Sequence, residues 1–519
     1  MPTLHWIGKD KVINHHMDVP FKVLEHAYGF ENGKQSDQET HSGNKIIHGD
    51  NLEALKALLP EYEGRIKCIY IDPPYNTGNE SWVYNDNVND PKIKKWLRQI
   101  VGSDDLAKHD KWLCMMYPRL RLLEKLLSKD GVLLISIGDD ELQNLILLCN
   151  EIFGEKGHDA TFVWKSRTKP TNAGRAKYRP QKVTEYVLLY TKSKELLFNT
   201  LTGEDNYSYP NEDKDGKFRT TTILTSNLGS YRRDTMRFEI ADYTPPPEQR
   251  WKAGKEIIQG LYDNNRLQFK ENVPMQKVYD FDNDEINNPL YTIIKQELSG
   301  TAESGKSLLN KIIGKGHGFD TVKPIELLTY LLKVFTYNDS IILDSFAGSG
   351  TTCHAVFNLN IADSGNRKFI LIEMEDYAET ITSERVKRVI KGYGETEGTK
   401  GSFDFYELGQ PMFIEDGILN ESVGIEKIRA YVWYTETQKA LIERKHKDNK
   451  HFLGKYNDTA YYFNYEQNEI TTLDHAFLST MKTKAEQYVI YADNCLLTKN
   501  FMTKHHIIFK KIPRDITRF

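Results

Sequence analysis

The chain has 519 residues, of which 39% are hydrophobic and 27% charged, and its formal net charge is −4. These values exclude a collagen-like, wholly disordered or disulfide-scaffold protein, and the length predicts two or three domains. The five cysteines form no C-x-x-C pair and no zinc-ligand spacing, so we expect no metal site. We find no signal peptide and no stretch near the roughly 20 apolar residues of a membrane span. We therefore expect a soluble, cytoplasmic protein without a membrane partner.

Alternating apolar runs and amphipathic segments predict an α/β fold for most of the chain. Between residues 45 and 194 we predict strands over 45–50, 66–72, 131–137, 161–164 and 185–191, and helices over 52–59, 112–127 and 141–153. The alternation stops over 195–316 and returns with helices at 324–335, 351–360 and 378–390 and strands at 340–344 and 368–373. Three strand-like runs, 461–465, 488–491 and 506–510, follow a linker-like stretch. This order indicates a mostly parallel sheet with a large insertion.

A glycine-containing turn, Asp344-Ser-Phe-Ala-Gly-Ser-Gly350, is predicted between a strand and a helix. Its two glycines allow a tight turn and a close approach of the backbone to a ligand, and the helix start offers free N–H groups. Glu373 ends the next strand, where a carboxylate bonds ribose hydroxyls in nucleotide-binding folds. The turn lacks the third glycine of a dinucleotide site and the Gly-Lys-Ser/Thr of a P-loop. A purely structural turn is the alternative.

A second motif, Asp72-Pro-Pro-Tyr75, is predicted directly after an apolar strand. The two prolines force an extended backbone, so their carbonyls stay available as acceptors. An aminopurine placed here could donate its amine protons to Asp72 and the Pro73 carbonyl while its ring stacks on Tyr75. The alternative is a strand that ends in prolines and a tyrosine that packs. The ligand interpretation gains weight because both motifs follow strands of one predicted parallel sheet, where ligands bind.

Together, D-P-P-Y and F-A-G-S-G resemble the amino-group methyltransferases that act on DNA with S-adenosylmethionine as cofactor. The order of the two motifs, with D-P-P-Y first, is similar to that of their β group. The chain further resembles the modification (Mod) subunits of type III restriction-modification systems. The sequence segments that carry this resemblance are HGDNLEALKALLP, IKCIYIDPPYNTGNESWVYND, MMYPRLRLLEKLLSKDGVLLISI, TEYVLLYTK, GFDTVKPIELL and SIILDSFAGSGTT, within residues 45–194 and 317–392.

The resemblance implies a permuted, Rossmann-like methyltransferase fold in which the catalytic half precedes the cofactor-binding half. The implied division is an N-terminal arm (1–44), a catalytic half (45–194), an inserted target-recognition domain (195–316), a cofactor-binding half (317–398) and a small C-terminal domain (399–519). Dimerisation or partner docking is the role expected for the last domain. The implied partners are double-stranded DNA, a restriction (Res) subunit and a second copy of the chain.

The resemblance also implies roles for individual residues. The catalytic loop comprises Asp72, Pro73, Pro74 and Tyr75. The cofactor turn comprises Asp344, Phe346, Gly348 and Gly350, with Glu373 on the ribose.

Three further residues are implied to face the cofactor. Asp50 would lie near its adenine, although Asp50 also fits a helix N-cap, and the two roles are compatible. Lys323 and Pro324 would begin the helix that faces the methionine end, where a cation and free N–H groups suit a carboxylate. A solvated side chain is the alternative for Lys323.

A basic run without acidic residues separates the strands predicted at 161–164 and 185–191. It comprises Lys165, Arg167, Lys169, Arg175, Lys177, Arg179 and Lys182. A solvated loop is one interpretation of such a run. Beside a catalytic face for DNA we expect it to contact phosphates.

These features predict transfer of a methyl group to the N6 amine of adenine in duplex DNA, with base flipping and direct in-line transfer. Methylation at cytosine carbon is excluded because it requires a nucleophilic cysteine that usually follows proline, and none of the five does. Methylation of the cytosine N4 amine remains an alternative, although that group commonly has Ser where Asp72 stands. A catalytically retired DNA-recognition subunit is the second alternative.

Overall fold

The computed structural model describes residues 3–77, 95, 107–169, 178, 180–193, 198–199, 201–202, 208–282, 287–288, 290–319, 321–414, 418–441, 448–467, 469–513 and 515–516. The chain divides into two compact units. The larger unit comprises residues 1–199 and 291–519, and the smaller unit comprises residues 200–290.

The larger unit is built on an eleven-stranded sheet. Its strands, numbered along the chain, are β1 (Lys22–Glu31), β2 (Lys34–Ser36), β3 (Lys45–His48), β4 (Ile66–Ile71), β5 (Leu127–Ile137), β6 (His158–Lys165), β7 (Thr184–Thr191), β8 (Ile293–Ile294), β9 (Ile341–Asp344), β10 (Lys368–Glu373) and β11 (Ser402–Pro411). Their order across the sheet is β8-β6-β7-β5-β4-β9-β10-β3-β11-β1-β2.

Six neighbouring strands at the centre of this sheet, from β5 to β11, run parallel. Strands β7 and β1 pair antiparallel with the two ends of this group. All six residues of β4 are buried, which explains its continuous apolar run, since central parallel strands are covered on both faces. The predicted Rossmann-like α/β fold and its mostly parallel sheet are confirmed.

The parallel order brings four strand ends to one edge of the sheet. Asp344 and Glu373 are the last residues of β9 and β10, while Asp72 directly follows β4 and Asp50 comes two residues after β3. Strands β4, β9, β10 and β3 are consecutive neighbours. The prediction that the strands ending at Asp72 and Asp344 lie side by side is therefore confirmed.

Six helices accompany the sheet strands: α1 (Asn51–Tyr62), α2 (Lys108–Leu126), α3 (Leu142–Phe153), α4 (Ile325–Phe335), α5 (Thr351–Asp363) and α6 (Glu384–Lys391). Buried leucines of α1, α2 and α3 share one hydrophobic core with strands β3, β4 and β5. The Asp50 carboxylate caps α1 by accepting hydrogen bonds from the backbone N–H groups of Leu52 and Glu53, at 2.9 and 3.2 Å. Within the described residues, no helix combines the length and apolarity needed to cross a membrane.

The larger unit contains further helices and strands outside these six helices and the eleven-stranded sheet. Its other α-helices are Lys9–Val12, His15–Asp18, Gln296–Ser299, Ala302–Ile313, Ile425–Thr437, His475–Thr480 and Lys499–Lys504, and a π-helix, Ala378–Ser383, precedes α6. A separate four-stranded sheet contains Phe452–Tyr456, Thr459–Phe463, Gln487–Ala492 and Ile507–Lys511. Two-stranded pairs join Gly392–Tyr393 to Thr396–Glu397 and Thr472–Leu473 to Asn494–Cys495. Single 3-10 turns occur at Glu155–Gly157 and Glu421–Val423.

The smaller unit is mainly antiparallel. Its four-stranded sheet contains Leu267–Lys270, Val273–Tyr279, Gly216–Thr222 and Asn211–Asp213, in that order. Strand pairs join Leu224–Ser226 to Gln249–Trp251 and Leu201–Thr202 to Asn287–Asn288, and the α-helix is Lys255–Asp263. Short 3-10 turns occur at Gly229–Tyr231, Asp234–Met236 and Asp280–Asp282. Trp251 is fully buried in its core and donates its indole N–H to the Phe238 carbonyl at 2.8 Å.

The structure differs from the predicted division at both ends of the chain. Strand β1 lies within the expected N-terminal arm, and β11 lies within the expected C-terminal domain, yet both belong to the large sheet. Both strands mix exposed and buried positions, so they lack the continuous apolar run of the central strands. Residues 291–316, expected in the recognition domain, also belong to the larger unit.

Replacement of Phe405 by Ala tests whether the sheet depends on β11. The Phe405 ring is 2% exposed and stacks on Tyr28 of β1, with the ring centroids 5.1 Å apart, while Phe405 also pairs with Ile46 of β3. We expect Phe405→Ala to lower the free energy of unfolding by about 3–5 kcal/mol. Hydrogen exchange of the β3 amides should accelerate. The exposed residue Gln410, on the same strand, provides the control Gln410→Ala. Unchanged exchange in β3 would mean that residues after 399 fold independently.

Candidate active site

Buried polar groups hold the Asp72–Tyr75 loop in place. The fully buried Trp112 donates its indole N–H to the Pro74 carbonyl at 2.7 Å. Asn76, whose φ is +59°, donates from its amide to buried Glu141 at 2.5 Å. We expected both proline carbonyls to remain available, but Trp112 occupies that of Pro74. The Pro73 carbonyl is therefore the one left to accept an amine proton from an aminopurine.

One ammonium group lies at the centre of the site. The Lys323 Nζ lies 2.8 Å from Oδ2 of Asp72 and 3.4 Å from Oε2 of Glu185. The Tyr75 hydroxyl donates to the same Glu185 oxygen at 2.9 Å, and the Lys323 Nζ lies 4.9 Å from the centroid of the Tyr75 ring. We call these four residues, Asp72, Tyr75, Glu185 and Lys323, the Lys323 cluster.

The cluster carries two carboxylates and one cation in a poorly solvated place. Burial raises the pKa of Asp72 above its ordinary value, and the neighbouring Lys323 ammonium opposes that rise. Burial would lower the pKa of Lys323, but Asp72 and Glu185 outweigh it, so the pKa is raised and the ammonium stays charged. Burial, followed by the charges of Asp72 and Glu185, raises the pKa of Tyr75, which therefore keeps its proton.

The glycine turn is fixed by two buried carboxylates. Asp344 accepts a hydrogen bond from the Thr352 hydroxyl at 2.5 Å and from the Phe346 N–H at 3.1 Å. Glu373 accepts the Gly348 N–H at 2.8 Å. Burial raises the pKa of Asp344 and of Glu373 to about 7 in each case. Glu373 thus supports the backbone of the turn, a contact that the sequence interpretation did not include.

Arg385, the second residue of α6, supports the turn from inside the protein. It is fully buried, and its Nη1 donates to the hydroxyls of Ser349 at 2.9 Å and Thr351 at 2.8 Å. Burial lowers its pKa to about 10, so the guanidinium remains charged at neutral pH. These bonds join the turn to α6.

Two cavities meet at the Lys323 cluster. The first, the glycine-turn cavity, is lined by Tyr70, Asp72, Phe319, Thr321, Val322, Lys323, Leu328, Asp344, Phe346, Ala347, Gly348, Ser349, Thr351 and Thr352. The second, the Tyr75 cavity, has a volume of about 350 Å³ and is lined by Asp72, Pro73, Tyr75, Thr77, Gly138, Asp139, Asp140, Ser166, Arg167, Lys182, Thr184, Glu185, Thr321 and Lys323. Asp72, Thr321 and Lys323 line both, so they form the boundary between the two spaces.

The predicted site residues fall into two groups. The structure places Asp72, Pro73, Tyr75, Lys323, Asp344, Phe346 and Gly348 on the cavity walls. Pro74, Pro324, Gly350, Glu373 and Asp50 are not among the described residues that line them. Asp50 caps α1, as its alternative interpretation required, and lies 3.7 Å from the Arg119 guanidinium.

Lys323 lines the glycine-turn cavity and also has protein partners that the resemblance did not include. The resemblance implied that it faces a carboxylate of the cofactor, whereas its ammonium is paired here with two carboxylates of the protein.

Four of the seven residues of the basic run can be placed. Arg167 and Lys182 line the Tyr75 cavity, and Lys182 lies 3.4 Å from Asp139 and 3.9 Å from Asp140. Lys165 and Lys169 are exposed near the end of β6. Arg175, Lys177 and Arg179 lie outside the described residues.

Sequence reasoning missed several residues of the site. Glu185, Trp112 and Arg385 contact the motifs from other elements, and only the folded chain shows these contacts. Glu185 carried one signal, because it is an acidic residue near the start of an otherwise apolar strand.

Comparison with known proteins agrees with this geometry. Residues 66–384, which contain both motifs, match the family model described as DNA methylase. The chain belongs to the DNA methylase family. The match spans β4 to the start of α6 and therefore includes both cavities.

Three relatives illustrate the similarity of this chain to known proteins. The Mod subunit of the type III restriction-modification enzyme StyLTI from Salmonella typhimurium is 33% identical over 363 residues, covering 65% of this chain and 53% of the relative. The EcoP15I Mod subunit from Escherichia coli is 29% identical over 436 residues, covering 72% and 64%. The type II methyltransferase M.KpnI from Klebsiella pneumoniae is 30% identical over 358 residues, covering 64% and 81%. The resemblance to Mod subunits is confirmed, although the chain matches only about half to two thirds of their length.

Proposed function

We propose that this DNA methylase transfers a methyl group from S-adenosylmethionine to the N6 amine of adenine in duplex DNA. The observation that carries the proposal is the meeting of the two cavities at Asp72. A methyl donor in the glycine-turn cavity and a target base in the Tyr75 cavity would come together at this carboxylate. Transfer needs such a meeting point, because the reacting atoms must approach within about 3–3.5 Å.

The glycine-turn cavity suits S-adenosylmethionine by its lining. Phe319 and Phe346 offer apolar ring surfaces, and the hydroxyls of Thr321, Ser349 and Thr351 are polar groups for a ribose or an amino acid moiety. A β-carbon built on Gly348 would meet no described protein atom closer than 3.8 Å, so the space beside this backbone is left to a ligand. When bound there, the cofactor would supply an electrophilic methyl group on a sulfonium.

The chain's own contribution is to orient the amine. Asp72 and the Pro73 carbonyl would accept the two amine protons, which directs the nitrogen lone pair toward the methyl group. In direct in-line transfer the amine nitrogen would bond the methyl carbon as the methyl–sulfur bond breaks and the thioether leaves. The methylated amine would then lose its surplus proton to Asp72 and from there to solvent, so neither a covalent enzyme intermediate nor a metal is needed. An amine inside a duplex cannot reach this cavity, so the base must leave the stack at a cost of a few kcal/mol. Stacking on Tyr75 would return about 1–3 kcal/mol.

Contacts around and beyond the Tyr75 cavity would supply DNA affinity and sequence choice. We assign phosphate contacts to the basic run, of which Arg167 and Lys182 line the cavity that would receive the base. We assign sequence recognition to the insertion between the two halves, whose compact part is residues 200–290. By similarity to type III Mod subunits, we also propose a modification role in the cytoplasm, a homodimer and a restriction (Res) partner, with residues after 399 as the docking region.

Two substitutions distinguish the methyl-transfer step from cofactor binding. Asp72→Ala should abolish methyl transfer to cognate DNA and leave the affinity for S-adenosylmethionine largely intact, because Asp72 orients the amine. Gly348→Val should lose cofactor affinity, since a side chain would enter the cavity and φ is +52°. Equilibrium binding of S-adenosylmethionine and transfer of a labelled methyl group measure the two effects.

The chain offers matched controls for both substitutions. Gly314 has a φ of +94° and open space around it, so Gly314→Val carries comparable backbone strain away from the site. Asp130, whose side chain is 61% exposed and pairs with the largely buried Lys67, provides Asp130→Ala. Turnover retained by Asp72→Ala would remove Asp72 from the catalytic role.

Substitution of Tyr75 tests the stacking of an extruded base. Tyr75→Phe should remain substantially active, because it keeps the ring and loses one hydrogen bond to Glu185. Tyr75→Ala should be severely impaired on paired duplex DNA and less impaired where the target adenine is mispaired, since extrusion is then less costly. Fluorescence of 2-aminopurine at the target position should rise on binding of the wild type. If Tyr75→Phe were as inactive as Tyr75→Ala, the hydroxyl rather than the ring face would be essential.

A further inference from the structure

The Lys323 ammonium occupies a carboxylate oxygen that the proposed reaction would use to accept an amine proton. This ammonium lies 2.8 Å from Oδ2 of Asp72, the carboxylate that would accept an amine proton. The same ammonium lies against the ring face of Tyr75, at 4.9 Å from the centroid. A target base that stacks on this face of Tyr75 and bonds Oδ2 of Asp72 would compete with Lys323 for both contacts.

Burial prevents the ammonium from simply moving into water. The side chains of Lys323 and Glu185 are each 12% exposed, and that of Asp72 is 24% exposed. A buried cation without a partner is strongly destabilising, so the ammonium must remain on a carboxylate. Glu185 is the available second partner, because its Oε2 is already 3.4 Å from the Lys323 Nζ. The Tyr75 hydroxyl holds that oxygen in place at 2.9 Å.

We propose that Lys323 is a mobile counter-ion that pairs with Asp72 in the resting enzyme and shifts to Glu185 when the target base enters. The inference rests on the proposed function. Lys323 is then a positioning residue: it keeps Asp72 ionised before the base arrives and leaves one carboxylate oxygen open to the amine afterwards. Glu185 receives the cation, so the ammonium stays paired during the exchange, while hydrogen bonds from the amine replace its contact with Asp72. This role differs from binding a carboxylate of the cofactor.

The charge state of Asp72 is set by groups on several elements. The nearest are Lys323 before α4, Glu185 on β7, Asp344 at the end of β9, and the hydroxyls of Tyr70 and Tyr75. The wall of the Tyr75 cavity adds Asp139, Asp140, Arg167 and Lys182. Lys323 is the cation in direct contact, so its removal should favour the protonated, inactive form of Asp72. Removal of Glu185 should have the opposite effect, because it eliminates a neighbouring negative charge.

The test compares the pH dependence of kcat/KM for methyl transfer in the wild type, Lys323→Met, Lys323→Arg and Glu185→Gln. Because kcat/KM reports the free enzyme, its acid limb reflects the ionisation of Asp72 before the base binds. Lys323→Met should move this limb to higher pH by about 1–3 units, and Lys323→Arg should restore it. Glu185→Gln should move it to lower pH. Lys333, an exposed lysine of α4, supplies the control Lys333→Met, which should leave the limb in place.

Two binding measurements accompany the profiles. Although Lys323 also lines the glycine-turn cavity, Lys323→Met should change the equilibrium affinity for S-adenosylmethionine by less than tenfold. Fluorescence of 2-aminopurine in the target position should rise less on binding to Glu185→Gln than to the wild type, because the ammonium then has no second carboxylate and stays on Asp72.

Three results would contradict the counter-ion role. An unshifted acid limb in Lys323→Met would show that Lys323 does not control Asp72. If Lys323→Met lost cofactor affinity by tenfold or more and its acid limb did not move, the ammonium would act by binding the cofactor. Shifts of the same sign in Lys323→Met and Glu185→Gln would indicate general damage to the site. Wild-type protein without transfer at any pH would instead contradict the proposed function itself, so the two failures are distinguishable.

Discussion

The site depends on the parallel pairing of two strands that are about 270 residues apart in the chain. Cys68 and Ile69 of β4 pair with Ile342 and Leu343 of β9. This register places the ends of the two strands side by side, with Asp72 just beyond one and Asp344 at the end of the other. Because parallel strands end at the same edge of a sheet, the two motifs that follow them must share one region. The two cavities meet there for this reason.

The central architecture could be predicted from the sequence because its signals are strong and local. Continuous apolar runs such as Ile66–Ile71 are typical of central parallel strands, and turns containing proline or glycine mark where those strands end. The position of Asp50 before an amphipathic segment likewise indicates a helix N-terminus, and Asp50 caps α1 in the structure. Each of these features depends on a few neighbouring residues.

The features that the sequence did not predict depend on contacts between residues far apart in the chain. Strands β1 and β11 lie towards one edge of the sheet with partly exposed faces, so their sequences look polar and give little indication of a place in the core. The partners of the motifs come from elsewhere in the chain: Trp112 reaches Pro74, and Glu185 reaches both Tyr75 and Lys323. Lys323 was expected to face a ligand because a cation before a helix suits an anion. In the fold, its ammonium pairs with the carboxylates of Asp72 and Glu185.

We propose that Asp72 presents an adenine amine to a methyl donor, so the product is a methylated base in the DNA. Methylation-aware sequencing of DNA from cells that lack other adenine methylation, and that express either the wild type or Asp72→Ala, measures this most directly. We expect N6-methyladenine at one recurring sequence in the wild-type cells and none in the Asp72→Ala cells. Unmodified DNA in the wild-type cells, or modification of the cytosine amine instead, would contradict it.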